Sequence, residues 1–581
     1  MTGPRDGQTS SLIDRLRRRK IVQWALAYLA GAWLALQILD LLAEKFSLPP
    51  LVEQAALVLL AVGFLAALVV GWFQGEKGEQ RTTTVEILML AALALLAAAA
   101  VALVGRDGSA PGPAASAVEP ASAAPPAASL VVLPFQNVGA DPENEYFSDG
   151  LTEELIVALS RLPGLRVAPR TSSFAFKGQQ VPVDSIARRL NVAHVLDGSV
   201  RTSKGRLRIT AQLVHAENGA LLWSERYDRD LADVFAVQED ISHAIVGALE
   251  LQLGAAGTRA ASQATPDMEA YDLYLRGRFL YKRSGEADVA QAIGLFQQAL
   301  ERDPGYAAAW VGLADAYTMQ ANWAYAAPRE VFPKAKEAVL RALELAPEMA
   351  EAHATHGHLL RWWDHDRPAA RQAFETALHI RPDYPEAHQF YAWFVLDEGR
   401  FEEAVSHMRR AQELDRMSAV MSAQVGVMLY YAGRYEEAAA QARRTQEMDP
   451  AEFEALYTLS LAEWRLGERT EPITRLERAV QQDRSTWLLA YLGELYAASG
   501  RREEALGLLR ELEERSRRGY EPIGALAYIH LALGDMDRAL DLLEEAYEQG
   551  SLWPEVGVDP DFASLRPEPR FQALLGKLGL R

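Results

Sequence analysis

The chain has 581 residues, a formal net charge of −19 and no cysteine. That length exceeds what a single hydrophobic core supports and implies two or three folded units. The acidic balance argues against a nucleic-acid partner, whose phosphates it would repel, and the missing thiols exclude disulfides, thiolate catalysis and cysteine-ligated metal.

Residues 1–20 are basic, with Arg15, Arg17, Arg18, Arg19 and Lys20. Three apolar stretches follow, at about 21–42, 51–73 and 85–104, each near the roughly 20 residues a helix needs to cross a bilayer. Trp24, Tyr28, Trp33, Trp72 and Phe73 are candidates for interfacial belts. The basic cluster predicts a cytoplasmic N-terminus, and an odd number of spans then places everything after about residue 105 in the periplasm of a bacterial cell, anchored in the inner membrane. Residues 106–128 are rich in Ala and Pro and read as a semi-extended linker.

Residues 129–254 read as a small α/β domain. SLVVLPF (129–135) is a short apolar run of the kind buried strands show. FSDGLTEELIVALSRL (147–162) places Leu151, Leu155, Ile156 and Leu159 on one helical face, with Ser148 or Asp149 suited to its start. LRVA (165–168) is a second strand and VDSIARRL (183–190) a second helix. HVLDGSV, RLRITAQLV and ALLWSERYD read as strands, and a helix from about Ala232 to Leu253 completes the order βαβαβββα. Leu207, Ile209, Ala211 and Leu213 alternate with Arg206, Arg208, Thr210 and Gln212, the period of a half-buried strand.

The stretches LPFQN, FSDGLTEELI, LRVAPRTSSFAFKG, HVLDGSVR, RLRITAQLV and LLWSERYDRDLADVFAVQEDI resemble the TolB-like N-terminal domain, over about 130–253. The resemblance implies a module standing between a membrane segment and a repeat array. Arg170, Ser172, Ser173 and Lys177 form a polar turn that could meet a phosphate or carboxylate of a ligand. Turn hydrogen bonds and ion pairs that shape a small domain account for the same residues.

After a second linker (255–268), residues 269–550 carry a rhythm. Gly399, Gly433, Gly467, Gly500 and Gly534 recur at intervals of 34, 34, 33 and 34 residues, most within a G-R-[FY]-E-E-A-like turn. The period and the small residues Ala404, Ala438, Ala505 and Ala539 resemble the tetratricopeptide repeat, which implies about eight stacked helix pairs with a concave binding face. Pro472 departs from the turn alanine and Thr445 from a core alanine. If the units stack as the family does, Gln389, Trp393, Tyr430, Tyr457, Trp464, Glu494 and Tyr528 line that face, and aromatic side chains are favoured interface anchors. Packing between neighbouring repeats is the competing role for each. Residues 551–581 read as a C-terminal cap, with Phe571, Leu574, Leu575 and Leu578 covering the last open face.

The expected fold class is therefore multidomain: three transmembrane helices, a small α/β TolB-like domain and an all-α tetratricopeptide solenoid. No Ser–His–Asp spacing, nucleophile elbow or metalloprotease motif is present. His353, His356, His358 and His365 lack the i, i+4 spacing of helical metal ligands. No cofactor or metal is expected. The expected function is a non-catalytic scaffold or sensor that binds a protein or peptide partner and meets the lipid bilayer through its three spans. Alternatives are a sensory or regulatory subunit of a signalling enzyme carried on a separate chain, such as a nucleotide cyclase or kinase, and a small-molecule sensor.

Overall fold

The computed structural model describes residues 125–138, 145–162, 164–203, 206–230, 234–249, 265 and 267–580. Strand β1 (Ser129–Val132) lies between β3 (Arg166–Val167) and β4 (His194–Ser203), parallel to both. The sheet continues antiparallel through β5 (Arg206–His215) and β6 (Leu221–Asp230), while β2 (Gln136–Asn137) pairs in parallel with the far end of β4.

Side-chain alternation explains the layers. Leu130 and Val132 point to the face covered by α1 (Glu145–Ser160) and α4 (Val234–Ala248), where they meet Leu155, Leu159, Ile241 and Ile245. Val131 points to the other face, into a smaller cluster with Ile186 and Leu190 of α3 (Val183–Leu190). On β5, Leu207, Ile209, Ala211 and Leu213 are buried and Arg206 and Arg208 exposed, so this end of the sheet has one wet face, as antiparallel sheets tolerate. Two details differ from the expectation. The first strand stops at Val132, ahead of Pro134, and the polar turn at 170 winds into a one-turn helix α2 (Arg170–Phe174).

The rest of the described chain is helical. Eight pairs follow one another: α5 (Met268–Arg283) with α6 (Glu286–Arg302), α7 (Ala307–Asn322) with α8 (Pro328–Leu345), α9 (Ala350–Trp362) with α10 (Arg367–Ile380), and α11 (Pro385–Asp397) with α12 (Phe401–Leu414). Then come α13 (Ala419–Tyr431) with α14 (Tyr435–Met448), α15 (Phe453–Arg465) with α16 (Glu471–Gln482), α17 (Thr486–Ala498) with α18 (Arg502–Arg518), and α19 (Leu526–Ala532) with α20 (Met536–Gln549). First helices of neighbouring pairs touch, as α5 touches α7 and α17 touches α19, and so form the inner layer.

The glycine rhythm has a local cause. Gly399, Gly433, Gly467, Gly500 and Gly534 all sit at positive φ, from 71° to 103°, just past the first helix of a pair. There the Arg400 amide bonds the Val395 carbonyl at 3.1 Å, closing the helix end. The rhythm starts late because the first three pairs put Ser284, Ala324 and His365 at the left-handed position, with φ of 60°, 58° and 55°. Ala404, Ala438, Ala505 and Ala539 are fully buried. The departures are accommodated too. Pro472 falls in the first turn of α16, where a missing N–H costs nothing, and Thr445 bonds Ser422 across the pair at 2.7 Å.

Among the described residues no helix is long and apolar enough to cross a membrane. The expected fold class is corrected accordingly, to a small mixed-sheet domain followed by an all-α solenoid, and the inner-membrane, periplasmic placement is withdrawn with it. The physical reason is visible in helices such as α14, which buries Ala438, Ala439 and Ala442 but turns Glu436, Glu437, Arg443 and Arg444 away from the core. The stretches at about 21–42, 51–73 and 85–104 lie outside the described residues.

Candidate binding surface and the segment that occupies it

The chain fills much of the inner layer of its own array. At the N-terminal end the α/β domain docks there, through α1 against α5. Tyr146 bonds Asp272, and Arg278 of α5 reaches Glu153 at 3.4 Å. A second anchor lies 243 residues along the chain: Ser172 donates to Asp415 at 2.6 Å and accepts from the Met417 amide at 3.1 Å. Burial pushes the Asp415 carboxyl up to about 6.

The four residues of the polar turn therefore have protein partners. Arg170 pairs with Glu153 and stacks over Phe174, Ser172 holds Asp415, Ser173 bonds the Val132 carbonyl, and Lys177 bridges Glu145 (2.6 Å) and Asp149 (2.7 Å). The turn is an internal fastening of the domain and its array.

Between the docked domain and the inner helices of the first four pairs lies a cavity of about 460 Å³. Its walls carry Glu154, Arg161, Lys282, Asp315, Glu351 and Tyr384. Arg381 bonds Glu351 at 2.8 Å, and Thr355 donates to Asp315 at 2.7 Å. Burial raises Glu154 to about 7 and Asp315 to about 6.

At the other end the chain's C-terminal segment lies against the inner layer. It leaves α20 at Gly550, whose φ is 72°, and runs as two 3-10 turns, Pro554–Gly557 and Pro560–Leu565, into α21 (Pro569–Lys577). Phe571, Leu574, Leu575 and Leu578 are buried as expected, but a cap over the last pair is only part of the arrangement. Glu555 reaches Arg361 of α9 at 2.6 Å, and an alanine methyl at Gly579 would meet the His365 carbonyl at 3.0 Å. The segment thus runs back from the eighth pair to the third.

The sequence-predicted groove residues divide on this point. Tyr430 donates to Asp561 at 3.2 Å, and Tyr528 donates to Asp559 at 2.6 Å while stacking on Trp553. Glu494 faces both aspartates, and burial together with their charge pushes its carboxyl well up. These three hold the chain's own segment. Gln389 and Trp393 both donate to the Gln424 amide oxygen, at 2.9 and 3.2 Å, and Gln424 in turn donates to Glu454. Tyr457 stacks on Tyr491 with ring centres 4.8 Å apart, and Trp464 lies under the Arg469 guanidinium at 4.3 Å.

The residues that sequence reasoning missed are the segment's own: Trp553, Glu555, Asp559, Asp561 and Phe562. Arg465 supplies their main positive charge, pairing with Asp561. A buried network, Arg361 and Arg367 around Asp397 at 2.7 to 2.9 Å, fixes the third and fourth pairs beneath Glu555.

Residues 285–327, 364–424, 428–486 and 523–555 match tetratricopeptide repeat families, and the array is a tetratricopeptide solenoid. Residues 126–244 match the family described as the second domain of HilA/YgeH-like transcriptional regulators. A Rhizobium meliloti (strain 1021) relative named "Putative adenylate cyclase 3" is 43% identical over 199 residues, 34% of this chain and 34% of its own length. The chain therefore spans about a third of that relative. The transcriptional regulator HilA of Salmonella typhimurium is 21% identical over 425 residues, 72% of this chain and 74% of HilA. A crystal structure of a thermophilic TPR protein of Thermus thermophilus is 16% identical, with a TM-score of 0.29, over 34% of this chain and 99% of its own.

Proposed function

We propose that this protein is a non-catalytic scaffold that takes a polypeptide partner along the inner helices of its repeats. The α/β domain, with its TolB-like sequence, serves in this reading as a fixed platform that closes the N-terminal end of the groove. One observation carries the proposal: the inner layer already holds a stretch of polypeptide outside the eight pairs, residues 551–566, through aromatic stacking and side-chain hydrogen bonds. Solenoids of helix pairs commonly present such surfaces to other chains.

The test is a photoreactive side chain placed at position 393 on the inner layer and, separately, at Met448, which is 44% exposed. A saturable adduct from position 393, mapped to one peptide and reproduced with the purified partner, supports the proposal. Equal labelling from both positions contradicts it.

A second reading is a sensory or regulatory subunit of a signalling enzyme. The cavity beside Glu154 and the name of the Rhizobium relative favour it. Cavities of a few hundred Å³ lined by mixed polar and aromatic groups are the usual size for small ligands. Cyclic nucleotide formed from ATP by the purified chain would overturn the non-catalytic part of both readings. Saturable binding of a metabolite, abolished by Glu154→Leu, would favour the second.

A further inference from the structure

The segment that fills the inner layer is a good steric match and a poor electrostatic one. Trp553 lies against Tyr528 and edge-on to Trp487, ring centres 5.0 Å apart, and the place is shaped for it: a methyl at Gly524 would meet its ring at 2.7 Å. Phe562 is fully buried, 4.6 Å from the Tyr528 ring. Between these anchors two aspartates enter a place that already holds Glu494. Asp559 and Asp561 are buried at 2% and 6% exposure, the latter for its side chain; Arg465 pairs with the Asp561 carboxylate, while the Arg566 guanidinium reaches only the Asp559 backbone carbonyl, at 3.2 Å. Glu494 shares a hydrogen bond with the Asp561 carboxyl, which requires a proton between them, and its other oxygen is buried with no hydrogen-bond partner. Crowded carboxylates of this kind cost free energy that anchors elsewhere must offset.

We propose that residues 551–566 are an intramolecular ligand, and that the groove accepts in their place a partner segment with the same two aromatic anchors, one carboxylate for Arg465, and an uncharged hydrogen-bond acceptor where Asp559 stands. The inference rests on the protein-binding reading and specifies its partner. Each clause has a counterpart in the groove. Tyr528, Trp487 and Gly524 select a broad flat ring. Tyr430 and Arg465 select a carboxylate at the Asp561 position. Tyr528 and Tyr431, at 2.6 and 3.4 Å from Asp559, need only an acceptor, which an amide or hydroxyl supplies without adding charge beside Glu494. The segment's connection suits exchange. It hangs from α20 by one left-handed glycine, and neither its two 3-10 turns nor α21 belongs to the eight pairs. As a tethered ligand it holds the site at an effective concentration in the millimolar range, so a free competitor must bind more tightly than the segment itself.

A protease site inserted between Gly550 and Ser551 of the full chain tests this. After cleavage the segment stays seated by non-covalent contacts alone, and a fluorescent synthetic peptide of residues 551–581 is added while anisotropy is followed. The expected result is exchange, with the Asp559→Asn peptide binding at least threefold more tightly than the natural sequence and the Trp553→Ala peptide at least tenfold more weakly. Circular dichroism and gel filtration show whether the cleaved chain keeps its fold. Exchange that does not occur in a folded chain, or unfolding as the segment departs, makes residues 551–566 permanent core and overturns the inference. So does a natural peptide that binds more tightly than Asp559→Asn. If exchange fails while position 393 still labels a partner, this inference falls and the scaffold reading stands. Exchange as expected with no labelled partner has the opposite meaning: the segment is a ligand of the groove and the scaffold reading falls.

Discussion

Tyr528 and Trp553 lie face to face, their ring centres 5.9 Å apart and their planes 7° from parallel. The tyrosine comes from the innermost layer of the last repeat pair and the tryptophan from the segment that follows it. The same tyrosine hydroxyl donates to Asp559, six residues beyond the tryptophan. A residue expected to greet a partner is thus engaged twice by its own chain. Trp553→Ala removes a ring that is 5% exposed and should lower stability by about 3–5 kcal/mol, measured by urea unfolding followed at the C-terminal pairs. Tyr528→Phe keeps the stack and loses only the donor, for about 1–2 kcal/mol. Equal losses from the two variants would show that the stack adds nothing.

Asp397 is fully buried and accepts from Arg361 and Arg367 together. Asp397→Ala leaves two guanidinium groups without their shared partner inside the array. The expected cost is about 3–5 kcal/mol, read from urea unfolding. A stability unchanged to within about 0.5 kcal/mol, roughly the error of such measurements, would mean that Glu555 and Glu398 take over both arginines.

The left-handed positions give predictions of opposite sign. Gly433→Ala places a methyl at a φ of 74° and should cost about 1–2 kcal/mol. Ala324→Gly relaxes a residue at φ 58° and should be neutral or stabilising by up to about 1 kcal/mol, since the relief offsets the added freedom of the unfolded chain. Thermal midpoints of the two variants, compared with the parent, decide the matter.

The carboxylate cluster makes stability fall with pH. Burial, with Asp561 next, raises Asp559 from an ordinary 3.8 to about 8, and burial raises Glu454 to about 8. Their folded forms bind protons that the unfolded chain has already released. Their contribution is complete below the unfolded value and is lost as pH rises through about 8. The groups facing Asp559 include Glu494, Asp561, Arg465, Tyr430, Tyr431, Tyr491 and Tyr528; Arg465 opposes the effect by its charge, and Arg566 donates to the Asp559 backbone carbonyl at 3.2 Å. The thermal midpoint should drop by about 2 °C or more between pH 7 and pH 9. Asp559→Asn should flatten part of that slope; an identical slope would remove Asp559 from its cause.

Much of the fold is legible in the residues, for reasons that can be named. Alternation on β5 and the apolar run of β1 depend on local burial patterns, and both are written in consecutive side chains. The eight pairs are legible because a left-handed glycine and a small residue recur at fixed spacing, and the three pairs without that glycine are carried by their turn prolines and alanines. The site is half legible. Register places Tyr430, Glu494 and Tyr528 on the inner layer, but nothing near them in sequence says that Asp559 and Asp561 return to meet them. That contact spans 131 residues for Tyr430, and depends on where the array's curve brings its end. Ser172 has the look of a ligand-facing turn residue because its partner, Asp415, lies 243 residues away. Apolar length suggests membrane spans at the N-terminus; among the described helices, α14 is apolar on one side only and α13, buried almost all round, has 13 residues.

The central claim is that the inner layer is a polypeptide-binding groove closed by the chain's own end. Hydrogen–deuterium exchange of the full chain, with and without a purified partner, tests it most directly. The account predicts that amides of residues 551–566, among them the Asp561 amide bonded to Asp559, exchange slowly in the free chain and become fast when the partner binds, while the first helices of the fourth to eighth pairs stay protected. Partner binding that leaves 551–566 slow, and protects the outer helices instead, would contradict it.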